Sequence, residues 1–124
     1  MGDALKVIGE LSKNYSLGII SNYSSTITGV LKEAGLFNYF KVLGISETYK
    51  LHKPDPEFFK AALKDANANF EELVMIDDNI EQSLDVAKQL GMTTVFLNGN
   101  NGQDISENIV DFTVSSLTDL LNIF

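Results

Sequence analysis

The sequence contains no cysteine and no arginine, and it has only one histidine and two prolines. Without cysteine there is no disulfide framework, no thiolate metal site and no cysteine nucleophile. All nine basic residues are lysine, and the formal net charge is −8 at pH 7. Because phosphate-backbone binding needs basic patches and guanine recognition favours arginine, we expect no nucleic-acid partner.

Long apolar runs are also missing. The longest are far too short to cross a bilayer, and no basic and apolar leader begins the sequence, so we expect a cytoplasmic protein without a membrane partner. The 124 residues are 44% hydrophobic, which is enough for a packed core. Their number fits one domain over residues 1–124 and is too small for two.

Short apolar runs alternate with amphipathic segments along the chain, which predicts a mainly parallel sheet with helices on both faces. Residues 99–108 are rich in glycine and asparagine and are expected to form an exposed loop. The predicted strands are residues 15–21, 41–45, 73–77, 93–97 and 111–114. Five helices are predicted, and the first covers residues 4–12. The second has an apolar stripe of Ile27, Val30, Leu31 and Ala34 and ends at Gly35, and the third begins at Asp55 and Pro56. The fourth begins at Ile80 and ends at Gly91, and the last contains Leu117, Leu120, Leu121 and Phe124.

The stretch from Leu73 to Asn79 reads LVMIDDN and runs from a buried strand into two aspartates. Open α/β sheets place their ligands at the carboxyl ends of strands, where Asp77 and Asp78 fall. Two adjacent carboxylates favour a cation between them, and oxygen ligands suit magnesium. In the alternative interpretation, Asp78 caps the next helix and Glu81 completes a capping box. The stretch alone leaves both interpretations open.

Two other polar residues are expected at the same edge of the sheet. Ser21 follows the first strand and Lys53 precedes a helix start, and right-handed crossovers bring such positions together. A hydroxyl, a lysine and a carboxylate pair suit a phosphoryl group, because they supply donors, a positive charge and ligands for magnesium. Taken singly, Ser21 is better explained as an ordinary turn serine, and Lys53 as one solvated lysine among nine.

Together these motifs resemble the haloacid dehalogenase superfamily, in its phosphatase branch with a helical cap. The elements are Ser-Asn after an apolar strand, then KPDPEFF, then VMIDDN with LGM at the following helix end. The resemblance implies a Rossmann-like three-layer sandwich. It also implies that Ser21 and Asn22 bind the phosphoryl oxygens and that Lys53 stabilises the nucleophile and the phosphate charge. Asp77 and Asp78 would hold magnesium, and the substrate of the parent enzyme would be a small phosphorylated molecule.

The sequence departs from that family in its first motif, an apolar strand ending in Asp-x-Asp that supplies the nucleophile. This motif and the cap have no counterpart here, and Lys50 stands where relatives usually have glycine. The chain therefore resembles a partial core that lacks the first strand, and we expect it to be inactive alone. One alternative is a non-catalytic, partner-binding α/β module. Another is a receiver-like phosphoacceptor domain, although receivers carry the acidic pair, hydroxyl and lysine in a different order.

The absent strand has a structural consequence. In the resembled fold it lies between the strands that end at Ser21 and Asp77, so both would keep an unpaired edge. Bare edges invite pairing and buried unpaired backbone groups are costly. We expect the two strands to pair directly, to accept a strand from another chain, or to cause aggregation. A soluble sample is expected either to close up or to self-associate through these edges.

Overall fold

The computed structural model describes residues 2–21, 27–66, 68–97 and 109–124. Within these ranges parallel strands alternate with helices, which confirms the predicted α/β class. The strands are β1 (Leu17–Ser21), β2 (Phe40–Ile45), β3 (Val74–Asp77), β4 (Thr93–Leu97) and β5 (Phe112–Val114). The α-helices are α1 (Gly2–Ser12), α2 (Ile27–Glu33), α3 (Ser46–Tyr49), α4 (Pro56–Leu63) and α5 (Asp85–Leu90). A π-helical turn spans Ile80–Leu84, and 3-10 turns span Phe37–Tyr39, Lys64–Ala66, Phe70–Glu72 and Leu117–Asn122.

The strands form two parallel sheets, one of β1 and β2 and one in the order β3, β4, β5. Within the described part of the chain, β1 and β3 are not paired and no strand lies between them. Direct pairing of these two strands, one of the three outcomes left open by the sequence, is therefore wrong. Leu17 of β1 and Ile76 of β3 pack against the same apolar cluster, so both strands bury apolar surface without pairing with each other.

Helical elements cover both faces of the larger sheet, as predicted. Neighbouring side chains of β4 point to opposite sides, and Val95 and Phe96 are both completely buried. Val95 joins Val7 and Leu11 of α1 in one cluster, whereas Phe96 packs with Leu84 of the π-helical turn. Alternation along one strand thus produces two cores and the layered arrangement of a sandwich.

Helix α4 packs closely on the smaller sheet. Asp55 caps it as predicted, accepting a backbone N–H of the first turn at 2.9 Å. The helix buries Phe58, Phe59 and Ala62. A Cβ atom placed at Gly44 of β2 would lie 2.6 Å from Cβ of Ala62, so this position requires glycine for the helix to approach the strand. This close contact holds the carboxyl-terminal part of α4 against β2.

Several predicted strand boundaries shift by one or two residues. β1, β3 and β5 begin at Leu17, Val74 and Phe112, later than predicted, and β2 begins one residue earlier, at Phe40. The late start of β1 has a simple cause, because the N–H of Tyr15 still bonds to the last turn of helix α1 at 3.0 Å. β4 has its predicted bounds.

Two helices also differ from the prediction. Leu31 of α2 is buried, but Val30 is 61% exposed, so the expected four-residue apolar stripe is not a fully buried face. Gly35 ends the helix with a φ of 75°, as predicted for a C-terminal glycine. The closing segment is a 3-10 helix because its hydrogen bonds join residues three apart, although Leu120 is still buried against α1. The predicted loop at 99–108 lies outside the described residues.

Candidate active site

The predicted lysine and one predicted aspartate meet at the end of strand β3. Lys53 precedes helix α4 and Asp77 is the last residue of β3, 24 positions later in the sequence. The Nζ atom of Lys53 lies 3.2 Å from Oδ2 of Asp77, and the two side chains are only 12% and 18% exposed. Such a largely shielded ion pair is held at one position, unlike pairs of mobile surface side chains. The structure therefore brings together two of the residues that the sequence singled out.

Ser83 completes this cluster, although the sequence analysis did not identify it. It is completely buried in the π-helical turn after β3, where its Oγ accepts a hydrogen bond from Lys53 Nζ at 3.0 Å. A signal was present in the sequence, since Ser83 falls on the same helical stripe as Ile80 and Leu84. A lone polar residue on a buried apolar stripe needs a polar partner.

The other oxygen of Asp77 accepts two backbone donors. Its Oδ1 receives the N–H of Asp78 at 2.7 Å and that of Asn79 at 3.1 Å. The helix that follows is capped by Asn79, whose side chain accepts the N–H of Gln82 at 3.0 Å. The alternative in which Asp78 caps this helix with Glu81 is therefore wrong. Because Asn79 supplies the cap, Asp78 is left exposed beside Asp77.

The two adjacent carboxyl groups have opposite pKa shifts. Burial raises the pKa of Asp77, but the hydrogen bond from Ser83 and the charge of Lys53 outweigh burial, so the net pKa lies below its usual value. A hydrogen bond with Asp77 raises the pKa of the Asp78 carboxyl, and burial and the charge of Asp77 raise it further. The charge of Asp77 thus disfavours ionisation of Asp78, and a cation between the two carboxylates would relieve their repulsion.

The site fits magnesium only in part. Carboxylate oxygens are suitable ligands, and Asp78 is exposed at the sheet edge. However, both oxygens of Asp77 already accept hydrogen bonds. Among the residues that the structure describes, no group of three or more histidine, cysteine, aspartate or glutamate side chains could hold a metal ion. Asp77 and Asp78 therefore supply an incomplete set of protein ligands.

The predicted phosphate-binding serine lies at the carboxyl end of the neighbouring sheet. Ser21 is the last residue of β1, is 8% exposed, and stands in register with Ile45 at the end of β2. From Ile45 the chain continues into α3 and then to Lys53. Ser21 thus lies at the end of β1, and Lys53 follows the end of the neighbouring strand β2. Asn22, its predicted partner in phosphate binding, lies outside the described residues.

Asp111, at the start of the predicted strand 111–114, holds structural elements together. Its carboxylate accepts Lys88 Nζ at 2.7 Å and the backbone N–H of Thr94 at 2.9 Å. Thr94 is completely buried and donates its hydroxyl to the carbonyl oxygen of Ile109. These bonds connect the residues just before β5 to β4 and to α5. The hydrogen bond from Lys88, with that from Thr94, lowers the pKa of Asp111.

The parallel α/β fold, with its shielded lysine–aspartate pair at a strand end, agrees with the protein family whose model matches the sequence. The model of the haloacid dehalogenase-like hydrolases matches residues 2–97, and the chain belongs to this family. This assignment favours a hydrolase core over the receiver-like alternative. Within the described residues, no helix is long and apolar enough to cross a membrane.

Curated relatives include phosphatases. A glyceraldehyde 3-phosphate phosphatase of Methanocaldococcus jannaschii is 34% identical over 90 residues, which cover 72% of this chain and 40% of that protein. The pyrimidine 5′-nucleotidase YjjG of Escherichia coli is 31% identical over 119 residues, covering 94% of this chain and 53% of its own length. The chain thus spans about half or less of the length of these relatives.

Solved structures agree with the fold. A haloacid dehalogenase-family phosphatase from Thermococcus onnurineus superposes with a TM-score of 0.88 and 29% identity, covering 99% of this chain and 57% of that one. The putative hydrolase YfnB from Bacillus subtilis, solved with bound magnesium, gives a TM-score of 0.92 and 25% identity, covering 99% and 55%. Both likenesses extend over nearly the whole chain, which confirms the Rossmann-like fold class.

Proposed function

We propose that residues 1–124 form a single, partial core domain that supplies the phosphate- and magnesium-binding half of a phosphatase site. The observation that carries this proposal is the shielded cluster of Lys53, Ser83 and Asp77 at the end of β3. The shielded ammonium group can neutralise a phosphoryl group, and the carboxylate pair beside it can neutralise the metal ion that accompanies the phosphoryl group. The phosphatase names of the relatives support the same chemistry.

The roles proposed for the side chains come from the family resemblance, and the contact between Lys53 and Asp77 supports them. Lys53 would contact the phosphoryl oxygens, and Ser21 with Asn22 would donate hydrogen bonds to them. Asp77 and Asp78 would hold magnesium, which supplies positive charge to the phosphoryl group when bound. In the parent reaction an aspartate attacks the phosphate ester, and water hydrolyses the resulting aspartyl-phosphate. No described strand carries the Asp-x-Asp motif of that nucleophile, so this chain alone is proposed to be inactive.

For the complete enzyme we propose a small phosphorylated substrate. Two relatives are named for glyceraldehyde 3-phosphate and for pyrimidine 5′-nucleotides, which share a phosphate ester and little else. The conserved chemical feature in these names is the phosphoryl group, which is also the group that Lys53 and Ser21 suit. A cytoplasmic location stays a prediction from the sequence.

Hydrolysis of p-nitrophenyl phosphate tests the proposed activity. The chain is assayed with increasing magnesium beside a Lys53→Ala variant, with folding of both checked by circular dichroism. We expect both to remain at the background rate, because loss of a nucleophile costs several orders of magnitude in rate. Magnesium-dependent turnover by the wild type that is absent in Lys53→Ala would show that the chain holds its own nucleophile and refute the proposed inactivity.

A second candidate function is partner binding through the unpaired strand edges. Among the residues that the structure describes, β1 and β3 each pair on one side only. Their apolar residues Ile19, Ile20, Met75 and Ile76 are half-buried, whereas the centre of β4 is fully buried. Partly exposed apolar strands with free backbone donors and acceptors are surfaces for strand addition. We therefore propose that the chain self-associates through these edges when it is isolated.

A further inference from the structure

The ammonium group of Lys53 lies at Asp77, one of the two carboxylates proposed to bind magnesium. It is 3.2 Å from Asp77 Oδ2 and 3.0 Å from Ser83 Oγ. Oδ1 of the same carboxylate accepts two backbone N–H groups. Every oxygen of Asp77 therefore has a donor, and one of these donors carries a full positive charge. A metal ligand needs a free lone pair facing the ion, which this arrangement restricts.

We propose that Lys53 is the resident counter-cation of Asp77, so that magnesium entering the Asp77–Asp78 pair competes with the Lys53 ammonium. Ser83 is the positioning residue of this device, because its buried hydroxyl holds the ammonium beside the carboxylate. The inference rests on the proposed function in one respect, namely that Asp77 and Asp78 take magnesium. The new claim is that Lys53 weakens magnesium binding. A lysine that only supported the site would strengthen magnesium binding or leave it unchanged.

Geometry and charge both support competition. The pair is shielded, with side-chain exposures of 12% for Lys53 and 18% for Asp77, so water screens it less than a surface pair. Ser83 is completely buried and cannot exchange its bond to the ammonium for one to water. Asp78, in contrast, is exposed, whereas Asp77 is only partly exposed and already contacts the Lys53 ammonium.

Isothermal titration of magnesium into four variants tests the competition. Lys53→Met removes the ammonium and keeps an unbranched side chain. Lys41→Met, on the exposed part of β2, controls for the change in net charge. Ser83→Ala removes the positioning hydroxyl, and Asp78→Asn removes a proposed ligand. All variants are checked for folding by circular dichroism and thermal denaturation.

We expect Lys53→Met to bind magnesium about tenfold more tightly than the wild type. Even with full screening by water, the repulsion between a unit charge and a divalent ion about 6 Å apart is on the order of 1.4 kcal/mol, which corresponds to that factor as a lower limit in this shielded site. Lys41→Met should stay within about twofold, since distant exposed charges are screened. Ser83→Ala should also bind more tightly than the wild type, because its ammonium is held less firmly. Asp78→Asn should bind more weakly.

The possible failures are distinguishable. Equal or weaker binding by Lys53→Met, with binding by the wild type retained, overturns the competition and leaves the proposed magnesium site intact. Absence of binding in every variant overturns both. If Lys53→Met does not fold, ¹⁵N-labelled lysine ammonium signals in the wild type provide the second measurement. The Lys53 signal should shift and lose protection from exchange as magnesium saturates, and an unchanged signal at saturation refutes the proposal.

Discussion

Lys50 is the residue at which a change should stabilise this protein. It follows helix α3 with φ 58° and ψ 28°, in the left-handed region, and its N–H bonds to the carbonyl oxygen of Ser46 at 2.8 Å. A side chain with a Cβ costs roughly 1–2 kcal/mol in this conformation. Glycine avoids this cost but loses about 0.5–1 kcal/mol more conformational entropy on folding. The two terms predict that Lys50→Gly raises the free energy of unfolding by about 0.5–1 kcal/mol.

Urea denaturation of the wild type, Lys50→Gly and Lys64→Gly measures this effect. Lys64→Gly is the matched control, because it removes the same exposed side chain at a helical φ of −54° and ψ of −39°. There glycine relieves no strain and should destabilise by about 0.5–1 kcal/mol. For two-state unfolding with equal m-values, the midpoints should move in opposite directions. Equal losses in both variants would refute the claim that the backbone at Lys50 is strained.

Two further predictions concern acid stability and association. Because the pKa of Asp111 is lowered in the folded protein, its stabilisation is present above its usual pKa of 3.8 and is lost as the pH falls through the folded value. Wild type should therefore lose more stability than Asp111→Asn below that pH, and parallel pH profiles in denaturation curves would contradict this. The free edges of β1 and β3 should make the isolated chain associate, so light scattering should report a mass above 13.6 kDa that falls on dilution. A strictly monomeric chain at high concentration would exclude edge pairing.

The sequence determined the order and type of most elements, and it singled out Lys53 and Asp77, which the structure brings into contact. Alternating apolar runs and caps such as Asp55 act locally, so they can be recognised without a structure. The same holds for a carboxylate pair placed at a strand end. Lys50 shows the limit of local evidence, because a lysine in the sequence gives no sign that its φ is positive.

Only the tertiary structure decided which groups meet. Lys53 and Asp77 are 24 positions apart, and their contact depends on how α4 packs on β2 and on where β3 ends. Ser83 gained its role because the turn after β3 is π-helical and buries its hydroxyl beside the ammonium. The separation of the sheets was decided in the same way, since β1 and β3 pack on a shared apolar cluster without pairing. Such contacts between distant segments depend on the whole packing arrangement, which local sequence patterns do not encode.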